Sequence, residues 1–221
     1  MAFRTAWETS ADARAGLRYA AALVAADRRD DALVVCRAVE AGGDVRGRVE
    51  AARIEHGRGD LHRAVELLSA AVDRMPAQDL PPVLATLGRW RWEADDVFGA
   101  EPLLAAAAES VPGARVDLAG LLGATGRRGE ARRLLEEGAA TGLVACLVPL
   151  ANMLDADGEP ERAVGVYERA AEAGDQRAAW NVALVLARLG RIDEAEAWRE
   201  RAALAGDAAA LASLLPRDGA P

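Results

Sequence analysis

Lysine is missing from this chain of 221 residues; all 27 basic side chains are arginine. Aromatic residues make up only 4%, and there are two cysteines and two histidines. Each shortage excludes something. Strands favour β-branched and aromatic side chains, so scarce aromatics count against a sheet protein. Two cysteines cannot staple a disulfide scaffold, and Cys36 and Cys146 lie too far apart along an elongated chain to meet; both are expected as small, buried, reduced hydrophobes. His56 and His62 stand near Glu55 and Asp60, but no zinc or other metal spacing occurs, so neither metal nor cofactor is expected. A basic surplus is also absent. The formal charge is −8 and the pI about 5.0, the wrong sign for a nucleic-acid partner. The longest apolar stretch, 143–154, is shorter than the roughly 20 residues of a membrane span and contains Pro149 and Asn152. The N-terminal stretch lacks the apolar core of a secretion signal. A cytoplasmic protein without a membrane partner is expected. Exclusive arginine is read as the composition bias of a GC-rich bacterial genome, the alternative being selection for forked carboxylate bonds.

What is abundant is alanine, within an apolar fraction of 52%. Alanine favours helix and lets helices approach closely. Its placement is periodic. Gly158-Glu-Pro-Glu-Arg-Ala163 leads to Tyr167-Glu-Arg-Ala-Ala-Glu-Ala-Gly-Asp175, and Gly190-Arg-Ile-Asp-Glu-Ala195 leads to Arg199-Glu-Arg-Ala-Ala-Leu-Ala-Gly-Asp207. Aligned anchors fall at Ala32, Ala64, Ala100, Ala131, Ala163 and Ala195, spaced 32, 36, 31, 32 and 32 residues apart. Twelve residues before each stands Ala20, Ala52, Gly88, Ala119, Ala151 or Ala183, and seven after stands Ala71, Ala107, Gly138, Ala170 or Ala202, with Val39 the exception. Small residues at fixed offsets mark helix crossings. Gly59, Gly126, Gly158 and Gly190, each five before an anchor, suit a left-handed helix end, and the acids that follow suit the next helix start. The spacing predicts helix, short turn, helix.

This pattern resembles the tetratricopeptide repeat, and the Ala-Ala-x-Ala-Gly-Asp endings are similar to Sel1-like repeats. The resemblance implies an all-α, right-handed α-solenoid of about six antiparallel helix pairs plus a C-terminal capping helix. The expected division is an N-terminal cap over 1–9, repeats at 10–43, 44–76, 77–111, 112–142, 143–175 and 176–207, and a capping helix and tail over 208–221. Phe3 and Trp7 are expected to cover the first repeat. Asp79 is expected to cap the helix after the insertion at 75–82, with Pro81 in its first turn. Pro102 is expected early in its helix, and Pro149 to kink a helix or mark a late start. The acid pairs Asp30-Asp31 and Asp95-Asp96 are expected at helix starts.

No nucleophile–base set, phosphate loop or metalloprotease motif occurs, so an enzyme is not expected. The resemblance implies that ligands bind along the first helices of the pairs. The offsets that face this groove carry Arg14, Arg46, Arg53, His56, Arg89 and Trp92 in the N-terminal half, and Asn152, Arg177, Trp180 and Asn181 in the C-terminal half. Arginines suit an acidic peptide segment through charge-assisted bonds, and the tryptophans suit apolar anchoring. The competing reading pairs the arginines with Glu50, Glu55 and Glu93 on the same helices. Asn152 and Asn181 resemble asparagines that hold a ligand backbone in peptide-binding tetratricopeptide domains, but Val148 stands where a two-carboxylate clamp wants a base. Trp90 is expected in the core and Trp198 between repeats. The expected function is a protein- or peptide-binding adaptor or scaffold. The alternative is a regulatory or sensor protein whose superhelix responds to a small ligand or signalling peptide.

Overall fold

The computed structural model describes residues 5, 7 and 12–214. Phe3 and residues 215–221 of the expected tail lie outside the described residues, as does most of the expected N-terminal cap. Among the described residues there are thirteen α-helices and no strand. They are α1 (Ala13–Ala25), α2 (Arg29–Ala41), α3 (Arg46–Gly57), α4 (Leu61–Val72), α5 (Leu80–Glu93), α6 (Val97–Ala107), α7 (Pro112–Ala124), α8 (Arg128–Ala140), α9 (Leu147–Ala156), α10 (Pro160–Glu172), α11 (Gln176–Arg188), α12 (Ile192–Leu204) and α13 (Ala208–Leu214). Short 3-10 turns precede α5 (Ala77–Asp79) and α9 (Val144–Cys146). No helix among the described residues is long and apolar enough to cross a membrane.

The chain divides into two compact units, 1–114 and 115–221. In the first, α1 to α6 pack in order, each on the next; in the second, α8 to α13 do the same. The small-residue ladder explains why. All six anchors are fully buried, at 0% exposure, and the partner positions twelve before and seven after them are buried too. A Cβ on Gly88 would stand 2.8 Å from Leu104 Cγ, so α5 and α6 cross there without room for alanine.

At two joints the position seven after the anchor packs against the start of the next first helix, and the two side chains share the space there. Val39, the large exception, meets Gly47, whose added Cβ would run into the Cys36 carbonyl and Val39 itself. Gly138 inverts the arrangement and receives Cys146 Sγ. At the corresponding positions of the last two joints stand Ala170 and Ala178, and Ala202 and Ala210, all at 0% exposure, and the last two share one cluster. Trp7 is half-buried against the Val39 cluster and meets Gly16.

One turn closes all six first helices. Each first helix ends on a residue in the left-handed region, and the next amide bonds back to a carbonyl five residues earlier: Arg28 to Leu23, Asp60 to Glu55, Asp96 to Arg91, Arg127 to Leu122, Glu159 to Leu154 and Arg191 to Leu186, at 2.8–3.0 Å. The left-handed residue is Gly59, Gly126, Gly158 or Gly190, with φ between 76° and 85°. In the other two repeats it is Asp27 (φ 58°) and Asp95 (φ 60°). Asp95 therefore ends a helix rather than starting one. Its neighbour Asp96 does the starting, accepting the Gly99 amide at 2.9 Å.

Two local expectations change, and a third is decided between its two alternatives. Asp79 makes no side-chain cap bond; its backbone is already helical (φ −97°, ψ −7°) because the 3-10 turn runs straight into α5, whereas a capping carboxylate needs an extended backbone. Pro102 is not in the first turn but is the sixth residue of α6, deep enough to remove a helix bond. Pro149 marks a late start: α9 begins at Leu147, so the proline stands where amides have no helical partner.

Candidate functional site

The buried ladder turns the opposite flank of each first helix outward, and the candidate residues stand there. In the N-terminal unit Arg14 near the start of α1, Arg46 at the start of α3, Arg53 in α3 and Arg89 in α5 are exposed, while Trp92 is half-buried. Three of these arginines are engaged. Arg46 forks onto Asp44, with Nε 2.9 Å from Oδ1 and Nη2 2.5 Å from Oδ2. These bonds hold the Asp44 carboxyl below the ordinary carboxylate range and raise the guanidinium of Arg46, which Asp79 and Asp12 also face. Arg53 lies 3.3 Å from Glu50 one turn earlier, and Arg89 also makes an interaction. The competing pairing thus operates for Arg53 with Glu50, while Glu55 turns to Arg58 and Glu93 to His56. Arg46 and Asp44 line a pocket of about 540 Å³ with Arg74, Pro76 and Asp79, below the starts of α1 and α3.

His56 is where neighbouring first helices join. Its ring stacks on Trp90 with centroids 4.5 Å apart and planes 9° from parallel, and Nε2 lies 3.2 Å from Glu93 Oε2. Trp90 itself is core, at 7% exposure. The histidine thus bridges α3 to α5. His62 is exposed elsewhere, on α4, and among the described residues no three His, Cys, Asp or Glu are grouped to hold a metal.

In the C-terminal unit Asn152 is exposed on α9, and its Oδ1 accepts the hydroxyl of the buried Tyr167 on α10. Burial, then the nearby Asp155, pushes the Tyr167 hydroxyl up from its ordinary value, which keeps it a donor. Half of the Asn152 amide is therefore committed within the unit. Arg177 is exposed at the start of α11, its backbone amide held by Asp175 at 3.0 Å. Trp180 packs with Trp198 against the alanine cluster of Ala179, Ala202, Ala203 and Ala210. Asn181 is half-buried beside it in sequence. Arg188 pairs with Asp155, tying α11 to α9.

The His56–Trp90 stack, the Asn152–Tyr167 bond and the Arg188–Asp155 pair were not anticipated from sequence. The repeat register does hold a signal for the first: Glu93 stands in the last turn of the first helix that follows the one carrying His56. Both cysteines are free and buried; burial raises Cys36 to about 12 and Cys146 above its ordinary value, so neither is poised as a nucleophile.

No protein-family model matches the sequence, and no curated protein matches it. Solved structures do. Yeast Tom70 is 16% identical with a TM-score of 0.69, covering 95% of this chain and 47% of that one. A tetratricopeptide repeat protein from Parabacteroides merdae is 12% identical with a TM-score of 0.63, covering 92% and 84%. The Cut9–Hcn1 hetero-tetramer of the APC/C gives 11% identity and a TM-score of 0.63, covering 93% of this chain and 42% of that one. At these identities the likeness concerns the fold.

Proposed function

We propose that this chain, whose helix pairs have the fold of tetratricopeptide repeat proteins, is a non-catalytic scaffold that binds a protein or peptide on the first-helix face of its N-terminal unit. The observation that carries the reading is the row of exposed arginines, Arg14, Arg46, Arg53 and Arg89, on α1, α3 and α5 of an acidic chain. The ligand chemistry that suits it is an acidic segment. Arg46 and Arg53 are paired, but exposed ion pairs contribute only about 0–1 kcal/mol, so a ligand carboxylate replaces Asp44 or Glu50 at little cost. Trp92, one turn beyond Arg89, adds apolar contact. A pre-organised helix face loses little entropy on binding. Assembly with a second chain, as in the Cut9–Hcn1 hetero-tetramer, is the mode of action this reading carries to the present protein.

The test is affinity capture from the native cell with wild type beside an Arg46/Arg53/Arg89 triple alanine variant, at low and high salt. A partner retained by wild type and lost by the variant, with retention falling as salt rises, supports the reading. A partner held equally by both and indifferent to salt refutes it.

A further inference from the structure

The outward stripe of α6, in the N-terminal unit, differs from that of every other second helix. Around the anchor Ala100 it carries Phe98 two residues before, and Pro102, Ala105 and Ala106 two, five and six residues after. All four are exposed, and Phe98 is 95% exposed. Such spacing puts them on one face of the helix. At the same offsets the other five second helices carry charge: Asp30 on α2, Glu66 on α4, Arg133 on α8, Glu161 on α10 and Asp193 on α12. The repeat therefore turns this face to water everywhere except on α6. There the charges give way to an aromatic ring, a proline and two methyl groups.

The charges around the stripe have one sign. α6 contains no cation, and its one charged residue is Glu101. Just beyond its two ends stand the exposed carboxylates of Asp95 and Glu109, and among the described residues neither has a hydrogen-bond or ion-pair partner. The helix between them is about 16 Å long. Pro102 has no N–H, so the carbonyl of Phe98 is also left without its helical donor. The surface complementary to this one is apolar in the middle and cationic at both ends.

We propose that the outward face of α6 docks an apolar segment of a partner protein that carries a basic residue at each end, covering Phe98 and pairing with Asp95 and Glu109. Charge decides against the other occupants. A second copy of this chain, paired antiparallel through the stripe, would bring Glu109 to Asp95 and join two chains of charge −8. An anionic bilayer would meet the same two carboxylates. The face belongs to a second helix, whereas the exposed arginines stand on first helices. The proposal therefore holds whether or not the arginine face binds a ligand.

The test is fluorescence anisotropy of a labelled, acetylated and amidated peptide, Arg-Arg-Ala-Leu-Ala-Ala-Leu-Leu-Ala-Ala-Leu-Ala-Arg-Arg, titrated with the full chain. Saturable binding to wild type is expected. Phe98→Ser weakens it about tenfold or more and leaves the melting midpoint unchanged, because the ring is exposed in the folded chain. The double variant Asp95→Asn with Glu109→Gln weakens it too, and so does replacing the peptide's arginines by glutamine. The Arg46/Arg53/Arg89 alanine variant binds as wild type. Absence of saturable binding, equal affinity for Phe98→Ser, equal affinity for the glutamine peptide, or loss in the triple alanine variant each overturns the proposal. So does a dimer in light scattering, or binding to phosphatidylserine vesicles, that Phe98→Ser abolishes.

Discussion

At the residue scale the recurring turn offers a controlled comparison, because four repeats fill its left-handed position with glycine and two with aspartate. An L-residue pays a steric penalty there of about 1–2 kcal/mol, somewhat less for aspartate. Asp27→Gly and Asp95→Gly should each therefore stabilise the protein, by about 0.5–1 kcal/mol, while Gly158→Ala should destabilise it by about 1 kcal/mol. Urea melts compare the three directly; a destabilised Asp95→Gly would show that its side chain does more than tolerate the turn. Cys36 gives a pH prediction. The folded thiol stays protonated to about 12 against a reference of 9.0, whereas the unfolded thiol ionises first. Between those values the native state holds the extra proton, so stability falls with rising pH by up to about 1.4 kcal/mol per unit. Cys36→Ala should flatten that part of the profile. On the arginine face, Glu50→Gln releases Arg53 from its partner and should strengthen, not weaken, binding of an acidic ligand at low salt.

At the scale of elements, α6 is the helix at odds with its own sequence. Pro102 removes an interior bond from it, and Phe98, whose carbonyl loses that donor, is 95% exposed. Pro102→Ala should restore the bond and raise stability by up to about 3 kcal/mol, the order of what an interior proline costs. An unchanged denaturation midpoint would mean that α6 has already absorbed the break. The two 3-10 turns show a related compromise: each leads into a helix with no side-chain cap, so the entries to α5 and α9 rest on backbone continuity alone.

At the scale of the whole molecule the helix pairs were legible because small residues at crossings leave a periodic trace that survives divergence elsewhere: Ala163 and Ala195 announce the crossings that Gly88 and Val39 obscure. The candidate site was less legible. Its arginines could be placed on first helices from their offsets, but whether Arg53 reaches out or folds onto Glu50 depends on rotamers that no spacing encodes. The unit division also makes a prediction. Ala52→Leu in the first unit and Ala151→Leu in the second should each overpack a crossing and cost about 1–3 kcal/mol, and the double variant should match their sum within about 0.5 kcal/mol. A larger coupling in denaturant melts would show that strain in one unit is felt by the other.

The shared volume at the junctions between repeats bears on how such a chain changes length over generations. Copying a repeat inserts one half of a junction beside a new neighbour. Where the junction is Ala170 with Ala178 or Ala202 with Ala210, the halves are identical, and a duplicated or deleted unit finds the same gap it left. Where it is Val39 with Gly47 or Gly138 with Cys146, a copied unit meets a neighbour that is not its complement: doubling the second repeat sets Ala71 against Gly47 and leaves the joint hollow, and doubling the fifth sets Ala170 against Cys146 and overfills it. Recombination that adds or removes whole repeats is thus expected to be tolerated among the last repeats and rejected at those two joints, so that descendants of this chain vary in number at one end and keep the order of the other.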